Sequence, residues 1–265
     1  MTQSHPGTAL ITGASSGIGA VYADRLARRG YDLILVARNR DRLNALAKRI
    51  TDETHRNVEV LVADLGERAD VQRVEATLRD DASITLLVNN AGVGTHSPLL
   101  ETSVDAMTSL IELNVTALTR LTYAVAPAFV ARGKGAIINI SSIVSIAPEL
   151  LNGVYGGSKA FVLAFSQSLH HELAAKGVQV QAVLPGATAT EFWEIGGLPL
   201  EHLPKNMVMT AQEMVDAALV GFDRQELVTI PSLHQVEGWQ AYEAARQTMA
   251  PHLSNSVPAP RYTAA

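Results

Sequence analysis

The chain predicts an α/β domain, a doubly wound, Rossmann-type parallel sheet of about seven strands with helices on both faces. Three observations predict it. Short runs rich in Ile, Val and Leu recur along the sequence and are near-continuous rather than alternating, as strands buried on both faces must be. Helix-length segments with apolar residues three and four apart lie between them. Strand–helix–strand repetition at this spacing requires right-handed crossovers, and so parallel strands.

The strands are expected at Thr8–Thr12, Leu33–Ala37, Val58–Ala63, Leu86–Val88, Ala136–Ile140, Val178–Leu184 and Leu227–Ile230. The first helix covers Val21–Arg29, and the second includes Leu43, Leu46, Ala47 and Ile50 on one face. Gly30 and Gly177 stop the helices that precede them. The segment 186–209 breaks the rhythm with Pro199, Pro204 and the Gly196-Gly197 pair, and its place at the carboxyl edge of the sheet marks it as a substrate lid. The tail 251–265, with Pro251, Pro258 and Pro260, is expected as an extended arm. With no linker or low-complexity tract, residues 1–265 are expected as one domain, and 47% hydrophobic residues over 265 positions suffice for its core.

Composition excludes several functions. Twenty-one Lys and Arg against 26 Asp and Glu leave a net charge of −5, which offers no cationic face to nucleic acid or an anionic membrane. The absence of cysteine excludes a disulfide framework, a zinc ribbon and a thiol nucleophile. The start, MTQSHPG, lacks a cationic leader, and the apolar stretches fall far short of the roughly 20 residues a membrane helix needs. A cytoplasmic protein is the expectation. No metal site is visible: His171-Glu172 begins like a zinc-protease helix, but Lys176 stands in place of the second histidine.

The first strand runs into Thr12-Gly13-Ala14-Ser15-Ser16-Gly17-Ile18-Gly19 and then a helix. Glycines there let the backbone turn tightly and approach a pyrophosphate, whose charge the helix N-terminus stabilises. The spacing is neither G-x-G-x-x-G nor the phosphate loop of nucleoside triphosphatases, and the glycines alone also fit an ordinary turn. Their position in the first strand–helix unit favours a dinucleotide. At the end of the second strand, Ala37-Arg38 stands where an acid would accept from a ribose 2′-hydroxyl. A guanidinium there suits a 2′-phosphate, so Arg38 points to NADP(H), although Arg38, Arg40 and Arg42 also fit a solvated cationic run. Asp64 follows the third strand and suits either the adenine amino group or a helix cap. Asn89-Asn90-Ala91-Gly92 ends the fourth strand and offers amides and a close backbone.

Tyr155 and Lys159 stand four apart at the start of a long apolar helix, on one face. Many helices carry such a pair. An ammonium about 4 Å from a phenol contributes roughly 4 kcal/mol at an effective dielectric of 20. That is enough to lower the phenol by up to about three units and make it a proton donor and acceptor near neutrality. Ser142, at the end of the fifth strand, would polarise a carbonyl oxygen in the same crevice, with Ser141 and Ser145 as competitors. Asn114 sits mid-helix, where asparagine is unfavourable unless it serves a polar site.

TGASSGIG, NNAG, Asn114, Ser142, YGGSK and Pro185-Gly186 stand in the order and spacing of the short-chain dehydrogenase/reductase family, which the chain resembles from Thr8 to Thr190. The resemblance implies Tyr155 as general acid/base and Lys159 as the group that lowers its pKa and holds the nicotinamide ribose. It implies Ser142 as the residue orienting the substrate oxygen, and Asn114 as holding a water in a proton relay. The implied cofactor set is Gly13, Ser15, Ser16, Gly17, Ile18, Gly19, Arg38, Asp64, Leu65, Asn90, Ala91, Gly92, Tyr155, Lys159, Pro185, Gly186, Thr188 and Thr190. Ser16 stands where the family often carries a further basic residue. His96, Val144, Phe192 and Trp193 fall in segments that line the family's substrate pocket, and their character suits a hydrophobic carbonyl compound or alcohol. Phe161, Leu163, Phe165 and Leu169 cannot all face the sheet, which together with the resemblance implies a homodimer or homotetramer. The reaction expected is hydride transfer between NADP(H) and a carbonyl or secondary alcohol. An NAD-dependent alcohol dehydrogenase and a non-catalytic dinucleotide-binding regulator are the alternatives.

Overall fold

β1 (Thr8–Thr12) buries all five of its residues, and along it alternate side chains feed two different cores. In the computed structural model, which describes residues 5–262, it is joined by β2 (Asp32–Ala37), β3 (Val58–Val62), β4 (Ile84–Asn89), β5 (Gly135–Ile140) and β6 (Val178–Val183). β7 (Thr188–Ala189) and β8 (Met209–Thr210) form a separate parallel pair, and β9 (Val228–Thr229) completes the main sheet. The order of that sheet is β3-β2-β1-β4-β5-β6-β9, with every pairing parallel. All seven strands of the sheet fall where the apolar runs place them. The chain reverses direction across the sheet between β1 and β4, which opens a crevice at the carboxyl ends of those strands.

Ala9, Ile11, Leu33 and Leu35 pack with α1 (Gly17–Arg28) and α2 (Arg40–Thr54) on one face. Leu10, Ile34 and Leu87 face the opposite core, with α3 (Arg68–Asp80) and the helices beyond it. α4 (Val104–Ile111) runs through a π-helical segment, Glu112–Ala117, directly into α5 (Leu118–Arg132). Asn114 lies in that wide turn rather than in a regular α-helix. α6 (Gly153–Leu173) is capped by Asn152, whose side chain accepts from the amide of Val154 at 2.9 Å. Between β4 and β5, the buried Asn89 donates to the Asn139 side chain at 2.9 Å and to Thr122 at 3.2 Å. Asn139 in turn donates to Ser166 of α6 at 2.9 Å.

The segment expected to lack regular elements contains β7, a one-turn α7 (Phe192–Ile195), two 3₁₀ turns and β8. It leads into α8 (Ala211–Asp223), which starts with a reciprocal capping box between Thr210 and Glu213. The Rossmann-type domain extends to Ser232; from Leu233 the chain forms a second, smaller unit. The second unit consists of α9 (Val236–Met249) and 3₁₀ turns at Ala250–His252 and Pro260–Tyr262, so the tail from 251 is not uniformly extended. Its last three residues, like the first four of the chain, on which the leader reading partly rests, lie outside the described residues. Among the described residues no helix is long and apolar enough to cross a membrane.

Candidate active site

The crevice is built first from the loop after β1. Gly13 has φ +64°, and a Cβ there would sit 2.7 Å from Nδ2 of Asn90. Only glycine tolerates both conditions. Asn90 donates to the carbonyls of Thr12 and Gly13 at 2.9 and 3.1 Å, while the Thr12 hydroxyl accepts from the amides of Asn90 and Ala91, both at 3.0 Å. The Asn90 amide nitrogen thereby fixes the glycine loop against β4. α1 begins after Ser16 with no side-chain cap. Its first amides, at Gly17, Ile18 and Gly19, make an anion site with the helix dipole behind them. This uncapped terminus fits a dinucleotide's pyrophosphate, and Ser15 lies in the same loop.

Arg38 follows β2, with its side chain 72% exposed and Nη1 3.8 Å from Asp64. It is free to reach a phosphate. Asp64 lies two residues past β3; its carboxylate accepts from the amide of Gly66 at 2.9 Å, and Glu67 rather than Asp64 is the N-cap of α3. Leu65 is buried beside it. Gly92 faces the catalytic groups: a Cβ there would lie 3.0 Å from Oδ1 of Asn114 and 3.5 Å from Nζ of Lys159.

Tyr155 and Lys159 occupy the first turns of α6, both buried. The Ser142 hydroxyl is bonded to the Tyr155 phenol, and it also accepts weakly from the amide of Val144 at 3.3 Å. Burial pushes the phenol up to about 12, and the bond to Ser142 offsets only part of that rise. The Lys159 ammonium donates to the carbonyl of Ile140 at 2.9 Å and lies 5.9 Å from the centre of the Tyr155 ring. Burial lowers Lys159 to about 8. Burial thus outweighs any lowering of the phenol by the lysine, whose ammonium is turned to the end of β5. Asn114 is locked in a polar cage: its Oδ1 accepts from the amide of Val93 at 2.9 Å, and its Nδ2 donates to the carbonyl of Val93 at 2.8 Å and to Ser158 at 3.2 Å. Ser158 has no signal of its own in the sequence beyond its place before Lys159.

Over Tyr155 lies an apolar wall of Leu110, Val144, Val93, Leu151, Val154 and Phe192. The Phe192 ring centre is 5.8 Å from that of Tyr155. Gly94 makes the contact possible, since a Cβ there would fall inside the Phe192 ring. Trp193 packs edge-on against Phe192, and its indole donates to the carbonyl of Thr188 at 2.8 Å, so its polar edge serves the segment itself. His96 likewise bonds through Nδ1 to the carbonyl of Gly196 at 2.8 Å, tying that segment down. Pro185 lends its carbonyl to the amide of Ile143 at 3.0 Å, Gly186 packs on Ser232, and Thr188 is buried in β7. Thr190 lies against Gly17 of the glycine loop. Sequence reasoning missed one more pairing: Arg42 of α2 holds Glu191 with two bonds, at 2.6 and 3.1 Å.

Comparison with known proteins matches residues 7–195 to the family described as short chain dehydrogenase. A very-long-chain 3-oxoacyl-CoA reductase of Anas platyrhynchos is 36% identical over 87% of this chain and 73% of its own length. Among solved structures, a short-chain dehydrogenase from Sphingobium yanoikuyae in complex with NADPH is 53% identical over 97% of this chain and 100% of that one, with a TM-score of 0.94. A bulky-bulky ketone specific alcohol dehydrogenase from Comamonas testosteroni is 48% identical over 98% of this chain and 99% of that one, with a TM-score of 0.90.

Proposed function

The chain belongs to the short-chain dehydrogenase family, and from that premise we propose that it is an NADPH-dependent reductase of bulky, hydrophobic ketones, reversible as a secondary-alcohol dehydrogenase. The observation that carries this reading is the buried phenol of Tyr155, set beside Ser142 and on the same helix as Lys159, at the floor of an apolar wall. The NADPH-bound and ketone-specific relatives support it, as does the uncapped α1 terminus beside the exposed Arg38.

NADPH, when bound, supplies the hydride. The rest falls to the chain. Gly17–Gly19 would hold the pyrophosphate at the N-terminus of α1, and Arg38 would hold the 2′-phosphate. Ser142 and Tyr155 accept the carbonyl oxygen between two hydroxyls, which fixes its position and favours negative charge on it. Tyr155 then donates its proton to that oxygen. Lys159 stabilises the resulting phenolate through charge, and Asn114, held by Val93 and Ser158, keeps the inner end of the crevice polar so that the proton can be replaced. Phe192 and its neighbours exclude water from the reacting oxygen. The working form is proposed to be a homodimer or homotetramer.

NADPH oxidation measured over a panel of diaryl, aryl-alkyl and small aliphatic ketones, with a long-chain 3-oxoacyl thioester alongside, tests the reading. The bulky ketones are expected to turn over fastest. Tyr155→Phe should keep NADPH binding while kcat falls by orders of magnitude. Binding of NADPH with no turnover of any carbonyl would instead favour a dinucleotide-binding regulator, and faster reaction with NAD and an alcohol would favour the oxidative enzyme.

A further inference from the structure

The phosphate side of the crevice holds an acidic residue that the reaction itself does not need. Glu191 follows Thr190, which rests on Gly17 of the glycine loop. Its carboxylate takes both Nη groups of Arg42, at 2.6 and 3.1 Å, across 149 residues of sequence. The hydroxyl of Ser16 faces the same carboxylate, and Arg42 first and Ser16 last hold it below the usual carboxylate range. Ser16 is the N-cap of α1 without a capping bond of its own, and Arg42 lies in the first turn of α2, just past Arg38. A carboxylate thus engages a guanidinium and a hydroxyl at the edge where a 2′-phosphate is to be recognised.

A phosphate monoester and a carboxylate seek the same partners, and near each other they repel. Arg38 is held only loosely, 3.8 Å from Asp64, whereas Arg42 is bound closely to Glu191. From this juxtaposition we propose that Glu191 is a specificity-determining residue for the cofactor: it withholds Arg42 from the 2′-phosphate and so tempers the preference for NADPH over NADH. The proposal rests on the NADP(H) reading above. Because it concerns binding, it is tested without turnover.

Dissociation constants for NADPH and NADH would be measured by cofactor fluorescence titration on the whole protein. Glu191→Gln removes one negative charge and releases Arg42, so NADPH should bind at least about fivefold tighter while NADH changes less than about twofold. Adding Arg42→Met to Glu191→Gln should cancel most of the gain. Both side chains are half exposed, so neither change threatens the fold. An unchanged NADPH-to-NADH ratio in Glu191→Gln would overturn the proposal, and equal weakening of both cofactors would overturn it in favour of a simple fastener for the lid. Arg38→Ala separates the two readings. If it lowers the ratio while Glu191→Gln leaves it alone, only this proposal fails; if it too leaves the ratio unchanged, the NADP(H) reading itself fails.

Discussion

Burial pushes the Tyr155 phenol up to about 12 and the Lys159 ammonium down to about 8. The proposed reduction needs a neutral phenol and a charged lysine, so the lysine is expected to limit it before the acid does. The expected kcat/KM for ketone reduction is flat below pH 8 and falls about tenfold per unit above it, as the Lys159 ammonium is lost. A profile that stays level to pH 10 would show that Lys159 holds its charge, or that its charge is not required. Tyr155, Lys159 and Ser142 stand out in the sequence through the motifs that resemble the family, on elements that periodicity locates. The sign of the phenol's shift is not legible: it depends on how completely α6 buries both groups and on the Ile140 carbonyl taking the ammonium. Arg42 with Glu191 was hidden for a different reason, being a pairing of two exposed charges far apart in sequence.

At the scale of elements, the segment 186–209 is expected to be a lid, and its fastenings can be named. His96 holds Gly196, Arg42 holds Glu191, Thr190 lies against Gly17, and Phe192 lies on Tyr155. These are few and local, so opening needs no change in the sheet. Hydrogen exchange with and without NADPH and a ketone should show slower exchange over residues 190–205 when both are present; unchanged protection would mean a rigid insertion. Gly94→Ala tests the same closure from below. Its added methyl displaces Phe192 from Tyr155, so KM for a bulky ketone should shift several-fold while thermal stability changes little. Most of the sheet strands are legible because they are apolar runs buried on both faces; β3, half-buried at the sheet edge, is legible from its valines and leucine. β7 and β8 were not, since two residues carry no period, and the π turn at Glu112–Ala117 has no compositional mark beyond the unfavourable placing of Asn114.

For the whole molecule, the outer faces of α5 and α6 present a run of stacked rings. Tyr123 lies parallel to Phe165 at 6.5 Å, and Phe165 stacks on Phe161 at 5.5 Å, while Tyr123 stays 70% exposed. Light scattering at micromolar concentration should therefore give a dimer or tetramer, and a monomer would leave those rings without a role in assembly. The asparagine pair between β4 and β5 has a consequence of another kind. Parallel strands far apart in sequence must find one another late and can mispair on the way. A slip of two residues would keep every side chain on its proper face and pass unnoticed by hydrophobic burial. It would, however, part Asn89 from Asn139 and strand both amides in a dry interior, at about 1–3 kcal/mol for each orphaned group. The pair therefore penalises a slipped register and favours the alignment that brings the ends of the two strands level, with Asn90 beside the glycine loop.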